Sequence, residues 1–257
     1  MSDVPLTDPD PPDARGHWFE DLAAHMGPSY LRYSFTKGTA QEVAFLAEVA
    51  GVRPGDRLLD VGCGPGRHTL ALAGLGVLAD GVDISQTFID LGNAAARELA
   101  VPATFRRVDA RSLKVDGEYD VVLSLCQGGF GLLGRDADGA ADGDVLARMG
   151  RALKPGGRLV LSAFSAYFQL RHLESSDTFD AETGVNHEAT EVKDASGRSR
   201  AADLWTTCFT PRELRLLAER AGLTVDAVWS VTPGSYARNR PIVDLPEFLL
   251  LAHRAAD

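Results

Sequence analysis

The stretch at residues 58–66, LLDVGCGPG, decides how this chain is read. Residues 57–61, RLLDV, are a short β-rich run that ends in Gly62, Gly64 and Gly66, and residues 68–73, HTLALA, restore a helical composition. A strand, a glycine loop and a helix in that order let backbone approach a ligand closely at a helix N-terminus, where N–H groups collect. An anionic group, phosphate or carboxylate, suits such a place. The dinucleotide fingerprint is G-x-G-x-x-G. Here the third glycine comes one residue early and Arg67 stands where it would be, which speaks against a nicotinamide dinucleotide.

Two acids follow at the ends of the next strand-like runs. Asp83 closes GVD, 21 residues after Gly62, where a carboxylate can accept hydrogen bonds from both ribose hydroxyls. Asp109 closes RRVDA, where a carboxylate can accept from an exocyclic amine such as that of adenine. The glycine loop and both acids thus lie at the C-terminal ends of consecutive strands, the edge at which open α/β sheets hold ligands.

The same rhythm extends outward. Residues 78–84, 103–108, 119–125, 158–164, 224–231 and 247–253 read as further strands, and residues 41–49, 87–99 and 145–153 as helices. The run YDVVLSL at 119–125 is nearly continuous in apolar residues, as in a strand buried on both faces. Thr210, Pro211 and Glu213 open another helix with a capping box, and Gly222 ends it. The spacing predicts a doubly wound α/β fold, a mostly parallel seven-stranded sheet with helices on both faces. Residues 166–209 break the rhythm. They are polar, with strand-like runs at 188–193 and 201–209 around DASG, and read as a β-rich insertion after the fifth strand that caps the site. The expected organisation is a disordered tail at 1–16, an N-terminal lid at 17–40, and one domain at 41–257 carrying the 166–209 cap.

Composition narrows the function. The chain has 257 residues, 45% hydrophobic and 24% charged, which are ordinary globular values. It has no apolar run near the ~18 residues needed to span a bilayer, and its acidic, Pro-rich start is no signal peptide. The net charge of −10 offers no overall basic footprint for nucleic acid. Cys63, Cys126 and Cys208 are scattered, so neither a disulfide framework nor a metal site is expected, and a reducing cytoplasm is the simplest compartment.

Taken together, DVGCGPG, Asp83, Asp109, the fourth-strand run at 120–125 and LKPGGRLVL at 153–161 resemble the class I S-adenosylmethionine-dependent methyltransferase family. The resemblance covers residues 40–165 and implies a last strand, at 247–253, that runs antiparallel. It implies S-adenosylmethionine as cofactor. The loop N–H groups from Gly62 to Gly66 would hold its methionyl end, with Asp60 and His68 beside them. Asp83 and Ile84 would take the ribose, and Asp109, Ala110 and Arg111 the adenine. Leu125 and Cys126 would line the transferred methyl, and Phe35 and Gly38 would close over the cofactor. The base-amine methylating members carry a D/N/S-P-P-Y/F motif after the fourth strand. Here that place reads SLCQGGF, residues 124–130, which turns the expectation toward other acceptors.

The chemistry this implies is in-line displacement onto an O or N of a small-molecule metabolite, which needs alignment, exclusion of water and sometimes a base. His187, beside Glu188, Tyr33 and Gln127 are the catalytic candidates, and Tyr30, Gln127, Phe130, Tyr236 and Arg238 the substrate-binding ones. Each has an ordinary alternative. His68 suits helix packing, His187 a surface hairpin, Gln127 a loop amide, and Arg238 a solvated charge. Trp205, Phe209 and Trp229 suit either the core or a homodimer face. Three other functions stay open: an S-adenosylmethionine binder that transfers no methyl, an NAD-dependent oxidoreductase, and a methyltransferase acting on RNA or protein.

Overall fold

The computed structural model describes residues 16–135 and 139–256, so most of the 1–16 tail lies outside the described residues. Helix α1 spans Trp18–Met26. His17 caps it, its Nδ1 accepting from Phe19 N while Glu20 accepts from His17 N. Two tight helical turns, Gly27–Arg32 and Ser34–Thr36, lead to α2, Thr39–Ala50. Then β1 (Arg57–Val61), α3 (Arg67–Ala73), β2 (Leu78–Asp83), α4 (Gln86–Leu99), β3 (Ala103–Arg107) and β4 (Tyr119–Ser124) alternate as the hydrophobic pattern requires. Helix α5 (Gly139–Ala152) precedes β5 (Leu153–Ser165). The insertion follows as α6 (Ala166–Arg171), β6 (Thr178–Phe179), β7 (Val185–Lys193) and β8 (Ser199–Phe209). The chain ends with α7 (Pro211–Arg220), β9 (Leu223–Thr232), β10 (Ser235–Asn239) and β11 (Glu247–Arg254).

The main sheet runs in the order β3-β2-β1-β4-β5-β11-β9-β10. Strands β1 to β5 pair in parallel, and β11 lies antiparallel between β5 and β9. This is the expected doubly wound fold with its antiparallel last strand, plus an eighth strand. Strand β10 was hidden because SYARN is short and polar, as edge strands are. Pro233–Gly234 folds it back on β9 as a hairpin. The cap is the antiparallel β7–β8 hairpin, attached where Phe164 and Ser165 of β5 pair with Cys208 and Phe209. It opens with a helical turn that its polar sequence did not announce, capped by Ser165, whose hydroxyl accepts from Phe168 N.

Alternation along the strands divides the core in two. Leu59, Val61, Val122, Leu159, Leu161, Phe248 and Leu250 face α5 and α7. Leu58, Val121, Leu123, Val160, Leu249 and Leu251 face α2 and α3. The second face matters for the site, because strand parity places Leu125, Ser162 and Glu247 on it as well. Chain order reverses between β1 and β4, the switch point at which a crevice opens outside the carboxyl ends of the strands. Among the described residues no helix is long and apolar enough to cross a membrane.

Candidate active site

The loops after β1 and β4 meet at that switch point. Gly62 has φ +74, and a Cβ there would overlap the Gly128 backbone, so only glycine lets the two loops close on each other. At Gly66, φ +85, a Cβ would run into the Phe105 ring. The N–H groups of the β1 loop are spent within the fold. Gly62 N and Cys63 N donate to Val82 O, Gly64 N to Asp83 Oδ2, and Gly66 N to Cys63 O. Pro65 has none. In this structure those N–H groups thus meet acceptors of the fold itself, and the loop shapes the crevice and fixes Asp83.

Asp83 is 4% exposed, with Gly64 N at 2.9 Å and Ser85 N at 2.8 Å. Burial raises its carboxyl to about 6, against the pull of those two N–H groups. Asp60 is buried and accepts from Thr69 Oγ1 at 2.6 Å. It braces the loop from beneath, and burial raises its carboxyl too. Asp109 caps the turn Ala110–Ser112 and accepts from Arg111 N and Nε. Burial would raise its carboxyl, but the bonds from Arg111 hold it low.

Asp83 and Asp109 line one cleft with His17, Phe19, Ile84, Val108, Ala110, Arg111, Leu132 and Leu133, floored by Gly62, Gly128 and Gly129. Its space, mouth included, is about 440 Å³. Two carboxylates that accept hydrogen bonds and an apolar slot between them suit an adenosine, one acid for the ribose diol and one for the base amine. They do not suit a pyrophosphate, since the cleft's one cation, Arg111, is engaged by Asp109.

A second, polar group of side chains lies beyond the β4 loop. Cys126 (φ +52) and Gln127 (φ +56) both stand in left-handed backbone, a strain that is held in place by its surroundings. Cys126 N donates to Ser162 Oγ at 2.8 Å, and Cys126 Sγ accepts from Arg67 Nη2 at 3.0 Å. Arg67 is also paired with Glu42, a fully buried carboxylate of α2. Glu42 further accepts from Gly234 N at 2.6 Å, and His68 Nε2 lies 2.8 Å from it. Burial works against the charge on Glu42, yet His68 and Arg67 hold its carboxyl down to about 2.

The site residues expected from sequence divide accordingly. Asp83, Ile84, Asp109, Ala110, Arg111 and Gly62 share the cleft. Tyr30 rests on Phe88 and Phe35 beside Gly64. Leu125 is buried under α2, and Gly38 is wedged against Gly234. His68 turns to Glu42 rather than into the cleft. The Tyr33 hydroxyl accepts from Lys193 N of the hairpin, and His187 pairs with Asp203 and stacks on Trp205. Phe130 is fully buried against Phe209, and Arg238 is spent on Glu48 at the outside of α2. Trp205 meets the edge of Trp18, and Trp229 that of Phe45. His17, Phe19, Leu132 and Leu133 of the cleft, and Arg67, Glu42 and Glu247 beyond it, carry no local motif. Only the folding of the lid and the strand parity of β11 reveal them.

A cleft with two acids at the switch point of a mostly parallel sheet defines a Rossmann-like α/β class. The methyltransferase-domain family matches residues 58–157. The chain is 33% identical to the 27-O-demethylrifamycin SV methyltransferase of Amycolatopsis mediterranei over 154 residues, 58% of this chain and 50% of that one. It is 34% identical to the demethylmenaquinone methyltransferase of Beutenbergia cavernae over 159 residues, 62% and 60% of the two chains. It thus spans about half the length of the curated relatives it matches. The fold is also that of the CcbJ methyltransferase from Streptomyces caelestis, with a TM-score of 0.71 at 22% identity over 94% of this chain and 98% of that one. Residues 58–157 thus match the methyltransferase-domain family, and over the whole chain the likeness is one of fold. S-adenosylmethionine is the family's cofactor, and the acids and apolar walls of the cleft fit its adenosine.

Proposed function

We propose that the protein transfers a methyl group from S-adenosylmethionine to an oxygen or nitrogen of a small-molecule metabolite. The observation that carries this is the pairing of Asp83 and Asp109 across one apolar cleft at the switch point. The names of the relatives, a demethylrifamycin and a demethylmenaquinone methyltransferase, support a metabolite as acceptor. The net charge of −10 favours it over RNA.

When bound, the cofactor supplies a methyl made electrophilic by a sulfonium. The chain's own residues hold and exclude. Asp83 takes the ribose hydroxyls, and Asp109 turns from Arg111 toward the adenine amine. Ile84, Val108 and Leu133 exclude water from the base. His17 and Phe19 close the cleft from the lid, and Tyr30 and Phe35 cover the glycine loop. Gln127, next to the floor of the cleft, orients the acceptor. Alignment and exclusion of water supply much of the rate in such a reaction.

The test is release of S-adenosylhomocysteine from S-adenosylmethionine, read by mass spectrometry against a panel of hydroxylated and amino metabolites and against total RNA. Release that depends on a small acceptor, with the product heavier by one methyl, is expected. Release only with RNA overturns the small-molecule reading. Cofactor binding without acceptor-dependent release across the panel overturns methyl transfer and leaves a binding protein.

A further inference from the structure

Glu247 opens β11 and is 3% exposed, although carboxylates are almost never buried unless paired. Strand parity turns it to the same face as Leu249, and its neighbours there are polar. Ser162 of β5 and Gln127 of the β4 loop flank it, and Cys126, Glu42 of α2, Arg67 of α3 and Tyr236 of β10 face it from the packed elements. No hydrogen bond of good geometry reaches Glu247 Oε2, Gln127 Nε2 or the Tyr236 hydroxyl, although the Gln127 side chain lies near enough to pull on the Glu247 carboxyl, and all three groups are at least nine-tenths buried. An orphaned buried polar atom destabilises the fold unless something pairs with it. Three in one place, beside a pair of left-handed residues, need a physical cause. Their position supplies one. Gln127 is followed directly by Gly128 and Gly129, which floor the adenosine cleft. Through Gln127 this group adjoins the floor of the cleft, and Glu247 stands beside it where β11 pairs with the end of β5.

We propose that Glu247, Tyr236 and Gln127 form the polar subsite of the methyl acceptor, with Glu247 as the base that takes its proton. The proposal rests on the methyltransferase reading above. Gln127 Nε2 and the Tyr236 hydroxyl donate to the acceptor oxygen or nitrogen, and its O–H or N–H donates to Glu247 Oε2. In the transfer, an acceptor lone pair forms the new bond to the methyl carbon and the carbon–sulfur pair returns to sulfur. The acceptor's proton passes to Glu247, which later gives it to water. Burial raises the Glu247 carboxyl to about 7, with Gln127 and Ser162 pulling the other way, so it is poised to accept a proton near neutral pH. Cys126, whose thiol is pushed up to about 12 chiefly by burial, is no competitor for that proton.

The test compares wild type with Glu247→Gln, which keeps the side chain's size. Catechol, phenol and aniline serve as probe acceptors with S-adenosylmethionine. The expected result is an unchanged Kd for S-adenosylhomocysteine, a fall in kcat on the order of 100-fold or more, and loss of the acid limb near pH 7 from the wild-type kcat/KM profile. Equal turnover and an unchanged profile overturn the proposal. If wild type binds S-adenosylhomocysteine but turns over none of the probes, infrared difference spectra of that complex decide. A protonated-carboxyl band that is absent in Glu247→Gln and shifts on adding a probe supports the subsite, and a band that no probe shifts overturns it. A wild type that binds no S-adenosylhomocysteine overturns instead the reading on which the subsite rests.

Discussion

Asp83 is held in its site by two backbone N–H groups, and both its oxygens retain lone pairs toward the cleft. Removing the carboxylate should leave the ribose hydroxyls without partners. Asp83→Ala is expected to weaken S-adenosylhomocysteine binding by roughly 1–3 kcal/mol in calorimetry, and unchanged affinity would remove Asp83 from that role. The sign of the pH effect follows from its burial. A carboxyl raised to about 6 is ionised above that pH and protonated below it. On this group alone the free protein is relatively most stable below the unfolded value, and it loses that share as pH rises through 6. Ligand hydroxyls donate to the ionised form. Affinity should therefore fall as pH drops from 7 to 5, by up to about tenfold per unit below 6, and the fall should be absent in Asp83→Ala. Glu42 has the opposite sign. Its depressed carboxyl contributes stability that is present above its unfolded value and is lost as pH falls through about 2. The residues with local motifs, the glycines and the two acids, were legible before the structure, because turn geometry and strand ends dictate their types. Glu42 and Glu247 were not. A glutamate in a helix or at a strand start looks solvated until tertiary packing buries it.

The elements around the cleft form a seam between lid and cap. Trp18 donates from Nε1 to Leu132 O at 3.1 Å and meets the edge of Trp205 on β8. Phe19 packs on Phe88 of α4, and Tyr33 receives a bond from Lys193 at the hairpin's end. Helix α1 lies outside the main sheet, in a small cluster of its own where Leu22, Ala23 and Met26 pack with Phe88 and Val192 and Glu20 pairs with Arg107, so it is expected to open before the sheet does. Trp18→Ala should raise hydrogen exchange across residues 18–26 at least tenfold, and should weaken S-adenosylhomocysteine binding while the protection of β1, β4 and β5 stays as it was. Exchange that rises equally in the sheet would show that α1 is part of the core rather than a lid. At this scale the strands and helices of the alternating core were readable from periodicity, as was the hairpin. Strand β10 and the turn of α6 were not, because a short polar edge and a lone capped turn carry no apolar period. Tyr236 and Arg238 thereby moved from a loop to a strand, one side chain inward and the other outward.

The whole molecule is a sheet covered on both faces, whose order reverses between β1 and β4 and opens a crevice there. The glycine loop, Asp83 and Asp109 reach the crevice from three neighbouring strand ends. His17 and Phe19 wall one side, and the cluster of Glu42, Arg67, Cys126 and Glu247 lies beyond the β4 loop. On the proposed reading, adenosine recognition is concentrated in the motif-bearing half of the chain, and the acceptor's surroundings come from α2, β10 and β11. That division is why the sequence offers local marks for a cofactor and none for an acceptor. The cofactor is the same across the family and leaves local marks, whereas acceptor groups are brought together only by the fold. The most direct measurement is calorimetric titration of the protein with S-adenosylhomocysteine and, separately, with NAD. One-to-one binding of S-adenosylhomocysteine with no heat from NAD is the predicted result. Binding of NAD alone, or of neither, would contradict the adenosine cleft as a methyltransferase cofactor site.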